Sequence, residues 1–439
     1  MRDATQAEAA GPPAVHVLVK PVGAACNLGC EYCFYLGKRA LYPQGTFRMA
    51  GDLLEEFTRQ YIASQRVPEV TFSWQGGEPT LMGLDFFRRA VDFQRQYGRP
   101  GTRIANAIQT NGTLLDDDWC EFLRANDFLV GISLDGPRHL HDQFRRDRDG
   151  NPTFERVMAG VHRLLAQDVQ FNILACVSAA NVEQPLEVYR FLRDEAKARF
   201  IQFIPIVERD NAAGCQQGNR VTHRSVTGAQ YGDFLISVFD EWVRRDVGRV
   251  FVQLFDVALA ACAGQPATLC VFSPTCGSAL AMEHNGDLYA CDHFVEPDHL
   301  LGNIMDTPLE ELAGSPQQRQ FGLAKQESLP SQCQRCDVRF ACHGGCPKNR
   351  LLRTEDGEDG LNYLCTGYQA FFRHIDQPMR FMVAQLHGGR PPANIMLHLA
   401  ARQMEQQGHL LRTPRNAPCP CGSGRKVKHC CGRAVSHPV

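Results

Sequence analysis

Three cysteines fall within eight residues, Cys26-Asn27-Leu28-Gly29-Cys30-Glu31-Tyr32-Cys33. Structural zinc sites usually close with four protein ligands, and this stretch offers three thiols with no histidine nearby. A cubane iron–sulfur cluster takes four ligands, one per iron. Three thiolates would therefore leave one iron open to a small molecule, with a zinc knuckle as the plainer alternative.

A second block holds Cys270, Cys276, Cys291, Cys333, Cys336, Cys342, Cys346 and Cys365. Eight thiols fill two cubane clusters with no open iron; two zinc sites would use the same number. The tail carries a third set, Cys419, Cys421, Cys430 and Cys431, around a Gly-Ser-Gly turn. Four close ligands of this kind are typical of a single zinc ion, with His429 as the nearest substitute. Four of the 19 cysteines remain, Cys120, Cys176, Cys215 and Cys262, and are expected to be small buried hydrophobes.

The elements that must position these groups follow from periodicity. Strand patterns cover residues 15–20, 69–74, 103–110, 128–134, 169–177 and 200–206, alternating with amphipathic stretches at 51–65, 84–97, 116–125, 154–167 and 184–198. Such alternation predicts an α/β fold with a parallel sheet and helices outside it. Six repeats are fewer than the eight of a closed barrel, which implies an open, partial (β/α)6 TIM-like barrel. Ligand groups then belong where strands end. The strand ends carry Gln75-Gly76-Gly77-Glu78-Pro79, Gln109-Thr110-Asn111-Gly112 and Ser133-Leu134-Asp135-Gly136. Residues 211–228 read as a long loop or lid, and two helices follow at 229–246 and 252–263. An Asn285-Gly286 turn between β-capable flanks predicts a hairpin leading to Cys291.

Composition narrows the class. With 44% hydrophobic and 21% charged residues the chain reads as globular, and a formal net charge of -2 argues against broad capture of nucleic acid. No apolar run reaches membrane-span length. Residues 1–13 lack the apolar core of a secretory signal and read as a disordered leader. A cytoplasmic location follows, in which dense cysteines point to metal rather than disulfides.

Together the three-thiol loop and the Gly-Gly-Glu-Pro run resemble the radical S-adenosylmethionine (SAM) enzymes. In that family an electron from the cluster cleaves SAM to methionine and a 5′-deoxyadenosyl radical. The resemblance implies a SAM pocket lined by Tyr32, Gly77, Ser133, Arg145 and a residue near Ile206; a solvated surface charge is the other reading of Arg145. The second block resembles the SPASM extension, and within it most closely the anaerobic sulfatase-maturating enzymes. That resemblance implies interleaved ligands, Cys270, Cys276, Cys291 and Cys346 for one auxiliary cluster and Cys333, Cys336, Cys342 and Cys365 for the other. It makes Asp292, directly after Cys291, the general base, with His293 as the alternative. Burial would raise the Asp292 carboxyl toward working pH. The tail resembles the SEC-C zinc motif, a docking module by that likeness, and is basic from Arg412 onward.

The implied organisation is a leader (1–13), a radical SAM core (14–245), an auxiliary-cluster domain (246–387), a linker helix (388–411) and a zinc tail (412–439). The implied reaction is oxidation of a Cys or Ser in an unfolded sulfatase polypeptide to Cα-formylglycine. It would use three 4Fe–4S clusters, SAM, tail zinc and a flavodoxin- or ferredoxin-type electron donor. The rivals are a SPASM enzyme that crosslinks a ribosomally made peptide and a non-catalytic metal-binding adaptor.

Overall fold

A computed structural model describes residues 14–211, 216–419 and 423–431. The expected leader, Cys215 and Cys421 lie outside the described residues. Six parallel strands follow one another across the sheet: β1 (His16–Val19), β2 (Glu69–Trp74), β3 (Arg103–Thr110), β4 (Phe128–Ser133), β5 (Phe171–Val177) and β6 (Phe200–Pro205). Helices Gly51–Ser64, Leu84–Tyr97, Asp117–Ala125 and Phe154–Ala166 alternate with them. This is the expected α/β arrangement of a mostly parallel sheet.

Side-chain alternation explains why the helices stay on one face. Phe72 and Trp74 point outward into rings from the first two helices, with Phe72 5.0 Å from Tyr61 and Trp74 5.6 Å from Phe87 between centroids. The opposite face is polar near the strand ends. There Gln109, Gly131 and Asn172 stand side by side in register on β3, β4 and β5. A Cβ on Gly131 would lie 2.0 Å from Gln109 Oε1 and 3.1 Å from Asn172 Oδ1, so the glycine makes room for two amides.

The sheet continues beyond the six expected strands. A short β7 (Phe251–Val252) joins β6 in parallel, while β8 (Ala279–Met282) pairs in parallel with β1, His16 facing Ala279. β8 and β9 (Asp287–Tyr289) form the expected hairpin, and β10 (Leu300–Asn303) adds to its edge. The full order is β10-β9-β8-β1-β2-β3-β4-β5-β6-β7. The segment carrying the second cysteine block is thus stitched onto the strand that feeds the first.

Local departures from expectation have local causes. The stretch expected as one helix over 184–198 is helical only over Pro185–Arg190, then widens into a π turn over Phe191–Glu195, where Ala196 N donates to Phe191 O at 3.1 Å. An extra helix, Arg138–Phe144, follows Pro137 and ends at Arg145. Of the leftover cysteines, Cys120 is buried but Cys176 and Cys262 are half-buried, because Cys176 sits at the polar end of β5. Helix Cys365–His387 stops before Asn394–Arg412 begins, with Gly388-Gly389-Arg390-Pro391-Pro392 between them. No described helix is long and apolar enough to cross a membrane.

Candidate active site and its thiol sets

β1 delivers the chain into the first thiol loop. Gly23 N donates to Lys20 O and Ala25 N to Val22 O, both at 2.9 Å, and Leu28 N then donates to Cys26 Sγ at 3.3 Å. The Gly-Gly turn after β2 presses against this loop. Glu78 N donates to Ala25 O at 2.8 Å, and a Cβ on Gly77 would lie 2.0 Å from that same oxygen.

Glu78, a residue the sequence reading passed over, braces the arrangement. Its buried carboxylate accepts from Thr80 Oγ1 at 2.6 Å, Thr110 Oγ1 at 2.7 Å and Asn111 N at 2.7 Å, tying the β2 and β3 ends together. Asn111 Nδ2 in turn donates to Asn27 Oδ1 at 2.8 Å. Burial, with Glu78, Cys30 and Cys33 nearby, pushes the Cys26 thiol up to about 12, and burial raises Cys30 and Cys33 as well. Any metal bound there must displace these protons.

Beside the thiol loop, Arg145 is buried rather than solvated. Its Nη1 donates to Tyr32 Oη at 2.9 Å, and Tyr32 Oη donates to Asp135 Oδ2. Asp135 Oδ1 accepts from Cys176 N at 2.9 Å. Arg145 Nε is buried without a hydrogen-bond partner. Two of the five expected pocket residues, Tyr32 and Arg145, are thus directly bonded, and Gly77 abuts the loop that carries Tyr32. Ser133 is reached differently: its Oγ accepts from Gln109 Nε2 at 3.0 Å. Ile206 stands just past β6, half-buried, its N–H donating to Val177 O at 2.8 Å.

Asp292 opens the short turn after Cys291 and is buried. Its partner is Lys20, at the end of β1, whose ammonium forms an ion pair with Asp292 Oδ1 and sits 4.5 Å from the centroid of the Tyr35 ring. The lysine stem lies across Gly76, where a Cβ would come within 2.2 Å of Lys20 Cδ. This corrects the expected electrostatics of the carboxyl. Burial does act to raise it, but Lys20, with smaller contributions from His293 and Lys348, carries it below the usual carboxylate range. His293 is half-buried, and burial with Lys348 nearby depresses its imidazole to about 3. It is neutral at ordinary pH.

This pairing has a direct consequence. Lys20→Met removes the largest charge opposing burial, so the Asp292 carboxyl rises. A base must be deprotonated to act, so the variant's product-formation rate should fall as pH drops through the range where the wild type stays flat. A rate–pH profile of both proteins checks it. A buried carboxylate stripped of its partner also costs about 3–5 kcal/mol of stability, read as a lower melting temperature.

The second block separates into two groups of thiols. Cys276 and Cys291 each lie within electrostatic reach of both Cys270 and Cys346, which reach one another; Cys333, Cys336, Cys342 and Cys365 are likewise in reach of one another and line one hollow. Lys325 Nζ caps the first group, donating to Cys270 O at 2.6 Å and Val271 O at 2.9 Å. Gln369 Nε2 donates to Cys336 Sγ in the second at 3.5 Å. In the tail, the sulfurs of Cys419, Cys430 and Cys431 lie within 4.8 Å of one another, as a single tetrahedral ion requires. His429 is exposed and is not among them.

Residues 21–192 match the radical SAM superfamily, residues 270–337 the SPASM iron–sulfur cluster-binding domain, and residues 415–433 the SEC-C motif. A serine-type anaerobic sulfatase-maturating enzyme of Bacteroides thetaiotaomicron is 47% identical over 406 residues, covering 90% of this chain and 97% of its own. A cysteine-type anaerobic sulfatase-maturating enzyme of Clostridium perfringens is 32% identical over 371 residues, 82% of this chain and 96% of its own. The solved structure of native anSMEcpe with bound AdoMet and Cp18Cys peptide matches with a TM-score of 0.76 at 31% identity, covering 85% of this chain and all of that one.

Proposed function

Because this chain belongs to the anaerobic sulfatase-maturating enzymes of the radical SAM superfamily, we propose that it oxidises Cβ of a Cys or Ser in a sulfatase polypeptide to give Cα-formylglycine. It is a protein-modifying enzyme whose radical SAM and SPASM regions take iron–sulfur clusters and SAM.

The ligand assignment is Cys26, Cys30 and Cys33 for the first cluster, Cys270, Cys276, Cys291 and Cys346 for the second, and Cys333, Cys336, Cys342 and Cys365 for the third. All three are taken as 4Fe–4S, with zinc in the tail on Cys419, Cys430 and Cys431 plus Cys421. When bound, the first cluster and SAM would supply the 5′-deoxyadenosyl radical that removes a hydrogen atom from Cβ. The fit to SAM rests on Arg145, whose buried and unpartnered Nε beside Tyr32 suits the SAM carboxylate. Gly77 gives the backbone close approach to its amino group. Ser133 and Ile206 line the rest of the pocket.

The chain's own chemistry centres on Asp292. Its carboxylate takes the thiol or hydroxyl proton of the substrate once the hydrogen atom has left Cβ, while Lys20 holds it ionised and aimed. Clusters held by the auxiliary thiol sets would, when bound, supply the acceptor for the substrate's second electron. A Cys substrate ends as a thioaldehyde that water hydrolyses, releasing hydrogen sulfide; a Ser substrate gives the aldehyde directly. A flavodoxin- or ferredoxin-type protein is the proposed electron donor. The observation supporting this reading is the Lys20–Asp292 pair: one buried carboxylate, next to Cys291, is tied to the lysine at the end of the strand that leads into the three-thiol loop.

Anaerobic incubation with SAM, a reductant and Cys-x-Pro-x-Arg or Ser-x-Ala-x-Arg peptides tests it by mass spectrometry. The expected product has CHO in place of CH2SH or CH2OH. An unmodified peptide with SAM still cleaved would overturn the assignment. The tail is expected to be separable: Cys430→Ser with Cys431→Ser should lose the zinc while iron content and peptide oxidation stay at wild-type levels, as metal analysis and the same assay report.

A further inference from the structure

Arg350 opens the short strand Arg350–Arg353, facing Asn362 on the strand Asp359–Asn362. Its guanidinium is in electrostatic reach of Cys276 and Cys346 on one side and Cys333 and Cys342 on the other, two thiols from each auxiliary set. The chain between Cys342 and Cys346 passes over it: a Cβ on Gly344 would lie 3.0 Å from Arg350 Nη2. Asn362 holds that crossover in place, its Nδ2 donating to Gly344 O at 3.2 Å and Cys346 O at 3.3 Å.

The donor inventory of the guanidinium is incomplete. Nη1 donates to Ser328 Oγ at 2.9 Å. Nε and Nη2 are buried and have no hydrogen-bond partner, and no carboxylate forms an ion pair with Arg350 among the described residues. Buried guanidinium N–H groups left idle are costly, and the ionisable groups in reach of this one are the four thiols. Arginine is the cation that presents several donors in a fixed fork, so one side chain can address two neighbours at once.

We propose that Arg350 is a positioning residue shared by the two auxiliary clusters, its free N–H groups donating to sulfurs of both and its charge favouring their reduced forms. The inference rests on the assignment of two clusters to this block. Hydrogen bonds to cluster sulfurs and nearby charge set reduction potentials, so a single cation between two clusters moves both together. Lys325 cannot do this, since its ammonium is engaged by two carbonyls beside the first set alone.

The test is a redox titration followed by electron paramagnetic resonance on the full reconstituted chain, comparing wild type with Arg350→Met and Arg350→Lys. The Met variant should keep its iron and shift both auxiliary midpoints to more negative potential. The Lys variant, which keeps charge but not the fork, should recover part of the shift. If the iron is retained and only one midpoint moves, or neither, the inference fails. It fails equally if both variants lose the iron of one set, since Arg350 would then be structural. A wild-type chain holding fewer than two auxiliary clusters would instead sink the cluster assignment itself.

Discussion

Asp292→Asn should reduce formylglycine formation by about 10²–10⁴-fold, the range a positioned general base contributes, while 5′-deoxyadenosine continues to form. Hydrogen-atom removal from Cβ needs no proton acceptor, whereas the oxidation that follows does. The amide keeps the size of the carboxylate but cannot accept the substrate proton as an anion. The ratio of formylglycine to 5′-deoxyadenosine, measured in one anaerobic reaction, separates this from a general loss of activity. A parallel fall of both products would mean that Asp292 holds the fold and does no proton chemistry. Iron content should match wild type, because Cys291, not Asp292, carries the thiolate.

Gly77→Ala should abolish SAM cleavage and weaken iron retention at the first thiol loop. Gly77 has φ +52°, a left-handed conformation that costs an L side chain about 1–2 kcal/mol. The larger obstacle is steric: the new Cβ would sit 2.0 Å from Ala25 O and 2.8 Å from Gly23 O. Both are backbone atoms, so no rotamer change relieves the clash, and Ala25 directly precedes Cys26. Gly101→Ala is the control. It has φ +81° but nothing within 4 Å of the added carbon, so it should lose only a little stability and no SAM cleavage. Equal loss in both variants would show that the close approach at Gly77 does not matter.

Much of this was legible in the chain because it is local. Alternation and amphipathic spacing located β2, β3 and the helix Leu84–Tyr97 at the bounds the structure has, and the cysteine intervals separated the thiol blocks. Pairing between distant segments was not legible. Nothing around residues 279–282 says that they lie in parallel beside residues 16–19, since a strand's sequence encodes its faces but not its neighbour. That one pairing brings Lys20 to Asp292.

For the same reason Lys20 read as a polar residue ending a strand, and Glu78 as part of a turn. Their roles exist only after three strand ends converge. The depressed Asp292 carboxyl is the plainest case: its burial was foreseeable from the sequence, the cation opposing it was not. Arg145 had two readings in the sequence, and the helix Arg138–Phe144, invisible in the repeat pattern, turns it inward.

The central claim is that a radical made from SAM takes its hydrogen from Cβ of the residue to be oxidised. Anaerobic turnover of a peptide deuterated at that Cβ, with mass analysis of both products, tests this most directly. The account predicts deuterium in 5′-deoxyadenosine and an aldehyde in the peptide. Unlabelled 5′-deoxyadenosine, or labelled nucleoside beside a crosslinked peptide with no aldehyde, would contradict it.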